Sequence, residues 1–340
     1  MHENKTWLDG ALLSSSFGIC SASAILHLFC FLLLVVTNDD AVQKIDVGQR
    51  WSGPKCIPGI KEFWGEIIDH PTTPLYWEMF EGGYHVKKYL INKEFCQTMK
   101  TSPSEFNAVK DLVKYTWDKN VAGIGADARN ILTNSILVTD VKRIENVQLW
   151  DNYIHEREKL IRTILEDGPR PFEKLETMSQ RGPVLTSRYL DKTLTRELYS
   201  DLNEVYLFHG TKPELVDNIK TKGMDLRHSS HQSMMGMGNY FAESSTKSDQ
   251  YADDKNNRGC QGLNMFLVRV LLGNIYRAKG RHQYKHPPCT KCLNDECTNQ
   301  NHKHFDSVVA DFGGGSLFRE FIVYNASQCY PEYIITYNRK

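Results

Sequence analysis

The fold is decided by VYLFHGTKPELVDNIKTKGMDLRHSSHQSMMGMGNYFAESSTKSDQY, residues 205–251. Its first four residues are apolar and β-prone, and they predict a buried strand that leads directly into the polar segment 209–211. The pattern then predicts a helix over 213–222 and a second short strand over 239–242. A buried strand that leads into polar residues is typical of a binding site, so this stretch predicts function as well as structure.

Four residues of this stretch suit a flat ring that carries an amide. The phenol faces of Tyr240 and Tyr251 can stack on such a ring, and Ser248 offers a hydroxyl to the amide. Gly210 lets the backbone approach a ligand closely, because glycine has no side chain. Taken singly, residues of these types are more often structural than functional. Their order along the chain therefore has to carry the argument.

That order resembles one enzyme family. The motifs are His209-Gly210-Thr211, Tyr240-Phe241-Ala242, Lys247-Ser248 followed by Tyr251, and Glu320 within FREFIVY. The series resembles the catalytic domain of the poly(ADP-ribose) polymerase family over roughly residues 70–340, and segment 225–243 is most similar to the tankyrases. The resemblance implies an α+β fold, the ADP-ribosyltransferase fold, in which two mostly antiparallel sheets pack together with flanking helices.

The resemblance also implies roles in a reaction that uses NAD+ as the substrate. Glu320 would hydrogen-bond the 2′-hydroxyl of the nicotinamide ribose, stabilise the developing cation and help to activate the acceptor. His209 and Tyr240 would complete the catalytic set. NAD+ would be bound by residues that the same motifs contribute: His209, Gly210, Arg227, His228, Gly238, Tyr240, Ser248 and Tyr251. Of these, Arg227, His228 and the loop to Gly238 would cover the adenosine half.

The implied function is transfer of ADP-ribose from NAD+ to acceptor proteins. Relatives that transfer a single unit commonly have another residue in place of Glu320, so its presence favours elongation of a poly(ADP-ribose) chain. A mono-ADP-ribosyltransferase and a non-catalytic module that binds NAD+ or ADP-ribose are the alternatives. The chain has 41 basic and 41 acidic residues and a formal net charge of +0, so its overall charge gives no indication of nucleic-acid binding.

The N-terminal residues 1–40 contain a long apolar run. No Asp, Glu, Lys or Arg lies between Asp9 and Asp39, and 17–36 is long enough to span a bilayer. A membrane anchor is the first interpretation, and basic residues that follow it favour a cytosolic catalytic part. A cleaved signal peptide, a buried core helix and a gene-model artefact are the alternatives. Without an anchor, we expect the protein in the cytoplasm or nucleus.

The remaining chain is divided into a linker, 41–73, and the catalytic domain, 74–340. Ser102 or Ser104 caps a predicted helix within 102–117, and its apolar residues recur at helical spacing. A strand over 136–144 and a helix over 149–165 are predicted to follow. The segment 172–201 is then a polar, helical excursion to which the sequence assigns no function.

A second constellation lies at 289–304. Cys289, Cys292 and Cys297 are followed by His302 and His304. Three thiolates and one imidazole can complete a tetrahedral shell, and Zn²⁺ is the natural occupant of such a site. We predict a structural zinc site with Cys289, Cys292, Cys297 and His302 as ligands, and His304 competes for the fourth position. A loop of free or oxidised cysteines is the alternative, and a luminal location would favour disulfides.

Overall fold

Nine strands form the frame of the part of the chain that the structure, a computed structural model, describes: residues 73–74, 76–78, 95–166, 171–195, 198–229, 233–313 and 316–340. The strands are β1 (Cys96–Lys100), β2 (Ile136–Asn146), β3 (Glu204–Thr211), β4 (Asn239–Ala242), β5 (Leu263–Leu271), β6 (Ile275–Ala278), β7 (Ser307–Ala310), β8 (Glu320–Val323) and β9 (Cys329–Arg339). Their order is β1-β2-β9-β5-β3-β4-β8-β7-β6. All neighbouring pairs are antiparallel except β6 and β7, which run parallel.

The sheet has its shortest ladder, with the fewest paired residues, between β3 and β4. One residue pair, Phe208 with Ala242, joins these two strands, whereas eight pairs join β3 to β5. The frame therefore consists of a five-stranded half and a four-stranded half. Apolar side chains from both halves share one core, and they include Leu207, Phe266, Val268, Phe241, Phe321 and Val323. The predicted pair of packed, mostly antiparallel sheets is confirmed in this form.

Seven α-helices are found among the described residues: α1 (Pro103–Tyr115), α2 (Val147–Glu166), α3 (Leu175–Met178), α4 (Leu185–Arg188), α5 (Lys192–Thr195), α6 (Val216–Lys222) and α7 (Ser245–Asp249). α1 begins at a capping box, in which the Ser102 hydroxyl accepts from the Glu105 N–H and the Glu105 carboxylate accepts from the Ser102 N–H. The predicted cap at Ser102 is thus confirmed. The helix buries Val109, Leu112 and Val113 against the five-stranded half.

α2 follows β2 without a loop and buries one apolar face. Trp150 and Tyr153 on this face pack against Trp77 and Tyr330, with ring centroids 5.0 to 6.2 Å apart. Offset and tilted aromatic pairs of this kind stabilise a core beyond the area that they bury. The predicted helix is confirmed and is slightly longer than the spacing of its apolar residues indicates.

The segment after α2 is less helical than the sequence predicts. Three helices of one turn each, α3 to α5, and a 3₁₀ turn at Ser200–Leu202 replace the expected longer helices. A buried arginine from β8's N-terminal end holds this segment: the Arg319 guanidinium donates to the carbonyls of Gly182 and Pro183. Tertiary contacts of this kind, rather than helical propensity, fix the path of the chain here.

The apolar run 17–36 and the linker, apart from Thr73, lie outside the described residues. Among the residues that are described, no helix is both long enough and apolar enough to cross a membrane.

A buried charge cluster connects the three central strands β3, β5 and β9. Arg269 on β5 donates to Glu332 on β9, and lies 3.5 Å from Glu204 on β3. All three side chains are at most 1% exposed. The Tyr206 hydroxyl donates to Glu332 at 2.6 Å, and the Tyr153 hydroxyl donates to Glu204 at 2.7 Å. Every charge in the cluster is thus both paired and hydrogen-bonded.

Replacing Arg269 by Met should destabilise the protein by about 3–5 kcal/mol, because the buried Glu332 loses its positive partner and Glu204 keeps only Arg157, at 3.8 Å. The free energy of unfolding from urea titration measures this loss. A Glu332→Gln change in the same chain should recover part of it, since one uncompensated charge is then removed. Equal stability of Arg269→Met and wild-type protein would contradict the assignment of a charge-bearing core.

Candidate active site

The candidate site lies where the two halves of the sheet meet. His209 and Gly210 come from β3, Tyr240 from β4, and Glu320 is the first residue of β8. Glu320 is paired in register with Ala242, which is itself paired with Phe208. The single junction between the half-sheets therefore brings the three motifs together.

His209 is fixed by the neighbouring strand. Its Nδ1 lies 2.9 Å from the carbonyl oxygen of Tyr240, and its ring packs on Phe241 at 5.7 Å. Burial lowers the pKa of His209, and the hydrogen bond to the carbonyl opposes this shift only in part. A carbonyl can only accept, so Nδ1 carries the proton of the neutral ring. The other nitrogen, Nε2, is then an acceptor that suits a hydroxyl.

Gly210 is required by the close approach of α7. A Cβ at this position would lie 1.8 Å from the main-chain oxygen of Ser248, which no side chain tolerates. Backbone contact between β3 and α7 thus replaces a side chain, and it places Ser248 beside His209-Gly210. The predicted proximity of Gly210 and Ser248 agrees with this arrangement.

Tyr240 is held by the loop that precedes β4. Its hydroxyl accepts from the Met235 N–H at 2.7 Å and donates to the Gly236 carbonyl at 2.9 Å. Burial raises the pKa of Tyr240 to about 12, so the phenol stays neutral at ordinary pH. Both hydrogen bonds fix the ring position, because a neutral phenol both donates and accepts.

Lys247 connects Glu320 to a carboxylate that the sequence did not indicate. Its Nζ lies 3.4 Å from Glu320 Oε1, 3.3 Å from Asp127 Oδ2 and 3.0 Å from the Tyr251 hydroxyl. The Tyr251 hydroxyl in turn donates to Asp127 at 2.6 Å. Lys247 is buried on α7, whereas Tyr251 is exposed. Tyr251 therefore presents its ring towards solvent while its hydroxyl is held by Asp127.

Asp127 is the residue that sequence reasoning missed. Burial would raise the pKa of Asp127, but hydrogen bonds from Lys255 and Tyr251, together with Lys247, outweigh it and hold the pKa well below its usual range. The residue lies on a 3₁₀ turn, Ala126–Ala128, in a stretch without apolar periodicity. No local sequence signal distinguishes it from a solvated aspartate.

Arg319 and Glu243 fix the strands that carry Glu320 and Ala242. The Arg319 guanidinium donates to both oxygens of Glu243, at 2.9 Å and 2.6 Å. It also donates to Ser179 Oγ at 3.1 Å. Arg319 is adjacent to Glu320 in sequence, and Glu243 is adjacent to Ala242. This buried ion pair therefore fixes the backbone from which the Glu320 side chain extends.

The residues expected over the adenosine half are more dispersed. The largely exposed Arg227 guanidinium pairs with Asp225 at 2.6 Å and, among the described residues, has no hydrogen bond or ion pair with His209, Tyr240 or Glu320. His228 ends the same 3₁₀ turn, Leu226–His228. Gly238 packs against β8, because a Cβ there would lie 2.3 Å from Ile322. Gly238 thus has a packing role in addition to any contact with a ligand.

The predicted metal ligands come together in space. The Sγ atoms of Cys289, Cys292 and Cys297 lie 3.5, 3.9 and 3.5 Å from Nδ1 of His302. The ligand atoms of all four residues lie within 4.8 Å of one another. The three cysteines are free thiols. His304 is used elsewhere, since its Nδ1 lies 2.9 Å from the Pro287 carbonyl.

Comparison with known proteins agrees with the motif series. The family described as Poly(ADP-ribose) polymerase catalytic domain matches residues 125–339. Protein mono-ADP-ribosyltransferase PARP12 of Mus musculus is 26% identical over 202 residues, which are 59% of this chain and 22% of that protein. A probable poly(ADP-ribose) polymerase of Dictyostelium discoideum is 28% identical over 213 residues, 62% of this chain and 47% of that protein.

The third comparison is with protein mono-ADP-ribosyltransferase PARP12 of Homo sapiens, which is 31% identical over 265 residues, 73% of this chain and 31% of that protein. The chain thus spans less than half the length of these three relatives. The narrower resemblance to tankyrases stays a prediction. Because this family match contains every motif assembled at the junction of the half-sheets, the chain belongs to the poly(ADP-ribose) polymerase family and contains its catalytic domain.

Proposed function

We propose that this protein transfers a single ADP-ribose unit from NAD+ to each acceptor site on a protein, which makes it a mono-ADP-ribosyltransferase. The observation that carries the proposal is the convergence of His209, Tyr240 and Glu320 at the single β3–β4 junction. The transfer of a single unit is supported by the printed name of PARP12 of Mus musculus and of Homo sapiens, which is protein mono-ADP-ribosyltransferase.

NAD+ binds with its nicotinamide beside Gly210. Its carboxamide hydrogen-bonds the Gly210 main chain, and Ser248 is adjacent because α7 touches Gly210. The exposed ring of Tyr251 and the fixed ring of Tyr240 offer stacking faces. His209 Nε2 accepts from a ribose hydroxyl. Arg227, His228 and the loop to Gly238 cover the adenosine half.

Glu320 acts on the ribose in the reaction. The bond between C1′ and the nicotinamide nitrogen breaks, and its electron pair leaves with the neutral nicotinamide. Positive charge then develops on the ribose, where a nearby carboxylate stabilises it more strongly than in the ground state. A nucleophilic atom of the acceptor forms the new bond to C1′, and its proton passes to Glu320 or to solvent.

Elongation to a chain is the second candidate. It is favoured by Glu320 itself, which relatives that transfer a single unit commonly lack, and by the name of the Dictyostelium discoideum relative. The carboxylate is 17% exposed and lies beside Lys247, so it is accessible from the site. A hydroxyl of a bound ADP-ribose would then take the place of the protein acceptor.

We also propose that Cys289, Cys292, Cys297 and His302 bind one structural Zn²⁺. A tetrahedral shell with Zn–S of about 2.3 Å and Zn–N of about 2.0–2.1 Å separates each sulfur from the nitrogen by about 3.6 Å. The observed separations of 3.5, 3.9 and 3.5 Å match this geometry.

The Gly210→Ala change should weaken NAD+ binding at least tenfold, because the new Cβ displaces α7 and Ser248 from β3. Overpacking at this contact should also cost about 1–3 kcal/mol of stability. Calorimetric titration with NAD+ and thermal unfolding measure the two effects. Gly280→Ala is the matched control, since a Cβ there meets nothing within 4 Å. Unchanged NAD+ affinity in Gly210→Ala would place the nicotinamide elsewhere.

The Glu320→Gln change should slow ADP-ribose transfer on the order of 10²-fold or more, while NAD+ affinity changes little. Labelled NAD+ is incubated with the full chain and the products are separated on a denaturing gel. A single labelled band from the wild type supports one-unit transfer, and a high-molecular-weight smear supports elongation instead. No labelling of the wild type would favour a module that only binds NAD+. The exposed residue Glu214 provides the control variant, Glu214→Gln.

Purified protein should contain about one zinc per chain, as measured by plasma mass spectrometry. Cobalt substitution should give the intense visible bands of tetrahedral thiolate coordination. The Cys292→Ser change should lower the metal content, whereas Cys260→Ser, which alters an exposed thiol remote in sequence, should not. Full zinc content in Cys292→Ser would contradict the ligand assignment.

A further inference from the structure

The loop that contains the proposed metal ligands, residues 289–302, has little apolar core of its own. Cys289 and Asp295 are its buried residues, and most of the others are exposed. Its main chain is tied at its base, where the Thr290 N–H donates to the Lys303 carbonyl and the Phe305 N–H to the Pro288 carbonyl. A loop of this kind depends on bound metal for its conformation, because the ion supplies what a hydrophobic core would otherwise supply. We call residues 289–302 the cysteine loop.

Asp295 connects the cysteine loop to the preceding segment of chain. It lies between Cys292 and Cys297 in sequence and is 7% exposed. Its Oδ1 lies 3.1 Å from His282 Nε2, and its Oδ2 accepts from the Lys285 N–H at 3.4 Å. Beside these contacts the two segments line an open surface cleft of about 290 Å³, and the Asp295 carboxylate links them there. We call residues 282–285 the bridging segment.

The bridging segment supports the loop that precedes β4. The His282 N–H donates to the Met234 carbonyl at 3.3 Å, and the Gln283 amide donates to the Ser233 carbonyl at 2.7 Å. Gly236 packs directly on the main chain of Tyr284, and a Cβ on Gly236 would lie 2.1 Å from the Tyr284 oxygen. The two segments therefore interlock through backbone as well as side chains. We call residues 233–238 the Met235 loop.

The Met235 loop in turn holds Tyr240 of the candidate active site. Both hydrogen-bond partners of the Tyr240 hydroxyl, the Met235 N–H and the Gly236 carbonyl, belong to this loop. The Tyr324 hydroxyl donates to the Met235 carbonyl at 2.6 Å and fixes the loop to the end of β8. A shift of the Met235 loop would thus move the Tyr240 ring.

We propose that metal bound by the cysteine loop sets the NAD+ affinity of the active site, through Asp295, the bridging segment and the Met235 loop. The metal site then affects the position of Tyr240 in addition to stabilising the conformation of the cysteine loop. The inference rests on the proposed function, since NAD+ is the ligand whose affinity changes. It assigns to the insertion a role that the catalytic motifs alone do not explain.

The coupling is tested on the full chain by calorimetric titration with NAD+, with zinc content measured on each sample. Removal of zinc by a chelator should raise the dissociation constant for NAD+ on the order of tenfold, which lies within the usual range of coupling between sites. The Asp295→Ala variant should keep about one zinc per chain and yet bind NAD+ as weakly as the stripped wild type. Glu296→Ala is the matched control, because Glu296 meets Lys285 only in solvent, at 3.8 Å.

A second measurement does not depend on NAD+. Amide hydrogen exchange of the peptides that contain Met235 and His282 should become faster in Asp295→Ala and after zinc removal, with the fold retained by circular dichroism. Equal NAD+ affinity and equal exchange in zinc-loaded wild type and Asp295→Ala would overturn the coupling. Absence of NAD+ binding by zinc-loaded wild type would instead overturn the proposed function, and the inference with it.

Discussion

The whole site depends on how two half-sheets are joined. One residue pair, Phe208 with Ala242, links β3 to β4, where an ordinary ladder would supply several main-chain hydrogen bonds. His209 follows this pair on β3, and Tyr240 precedes it by two residues on β4. A junction with so few backbone bonds is not fixed by the ladder. Side chains must therefore supply the positional precision that the ladder does not.

Three polar links meet this requirement. His209 reaches across to the Tyr240 carbonyl, Lys247 reaches from α7 to Glu320, and Arg319 with Glu243 joins the ends of β8 and β4. Burial of the Arg319–Glu243 pair costs desolvation free energy, which offsets much of the attraction between the two charges. The main effect of the pair is therefore to fix the relative position of β8 and β4. The turn between α3 and α4 belongs to the same arrangement, because the Gly182 and Pro183 carbonyls complete the hydrogen bonding of Arg319. The segment 172–201, to which the sequence assigns no function, thus helps to position Glu320.

The sequence predicted features that depend on neighbours in the chain, and missed features that depend on tertiary contacts. Some features depend only on residues that are close together in sequence, so they could be predicted without knowledge of the fold. They are the Ser102 cap, β3 and the Cys/His cluster. Asp127 belongs to the site only because Lys247, Tyr251 and Lys255 converge on it from another part of the chain. Likewise, Asn239 is unusual for a buried strand, and the fold explains it, since its amide donates to the Met224 carbonyl at 3.0 Å.

The position of Lys247 between two carboxylates bears on how Glu320 would work. An ammonium 3.4 Å from Glu320 opposes the positive charge that develops on the ribose, and left alone it would weaken the stabilisation that Glu320 provides. Asp127 also contacts this ammonium. The Asp127 carboxylate stays ionised because Lys255 and Tyr251 donate hydrogen bonds to it, which lowers its pKa. The negative charge of Asp127 therefore cancels part of the positive potential that Lys247 produces at Glu320.

Lys247, Lys255, Asp127 and Glu320 together carry no net formal charge, so the site as a whole neither attracts nor repels the nicotinamide cation strongly. The proposed reaction moves positive charge from the nicotinamide ring onto the ribose, towards the Glu320 carboxylate. Stabilisation therefore increases as the bond breaks, which is the condition for catalysis rather than mere binding. Because Asp127 offsets part of the Lys247 charge, it affects how strongly Glu320 can stabilise the proposed transition state.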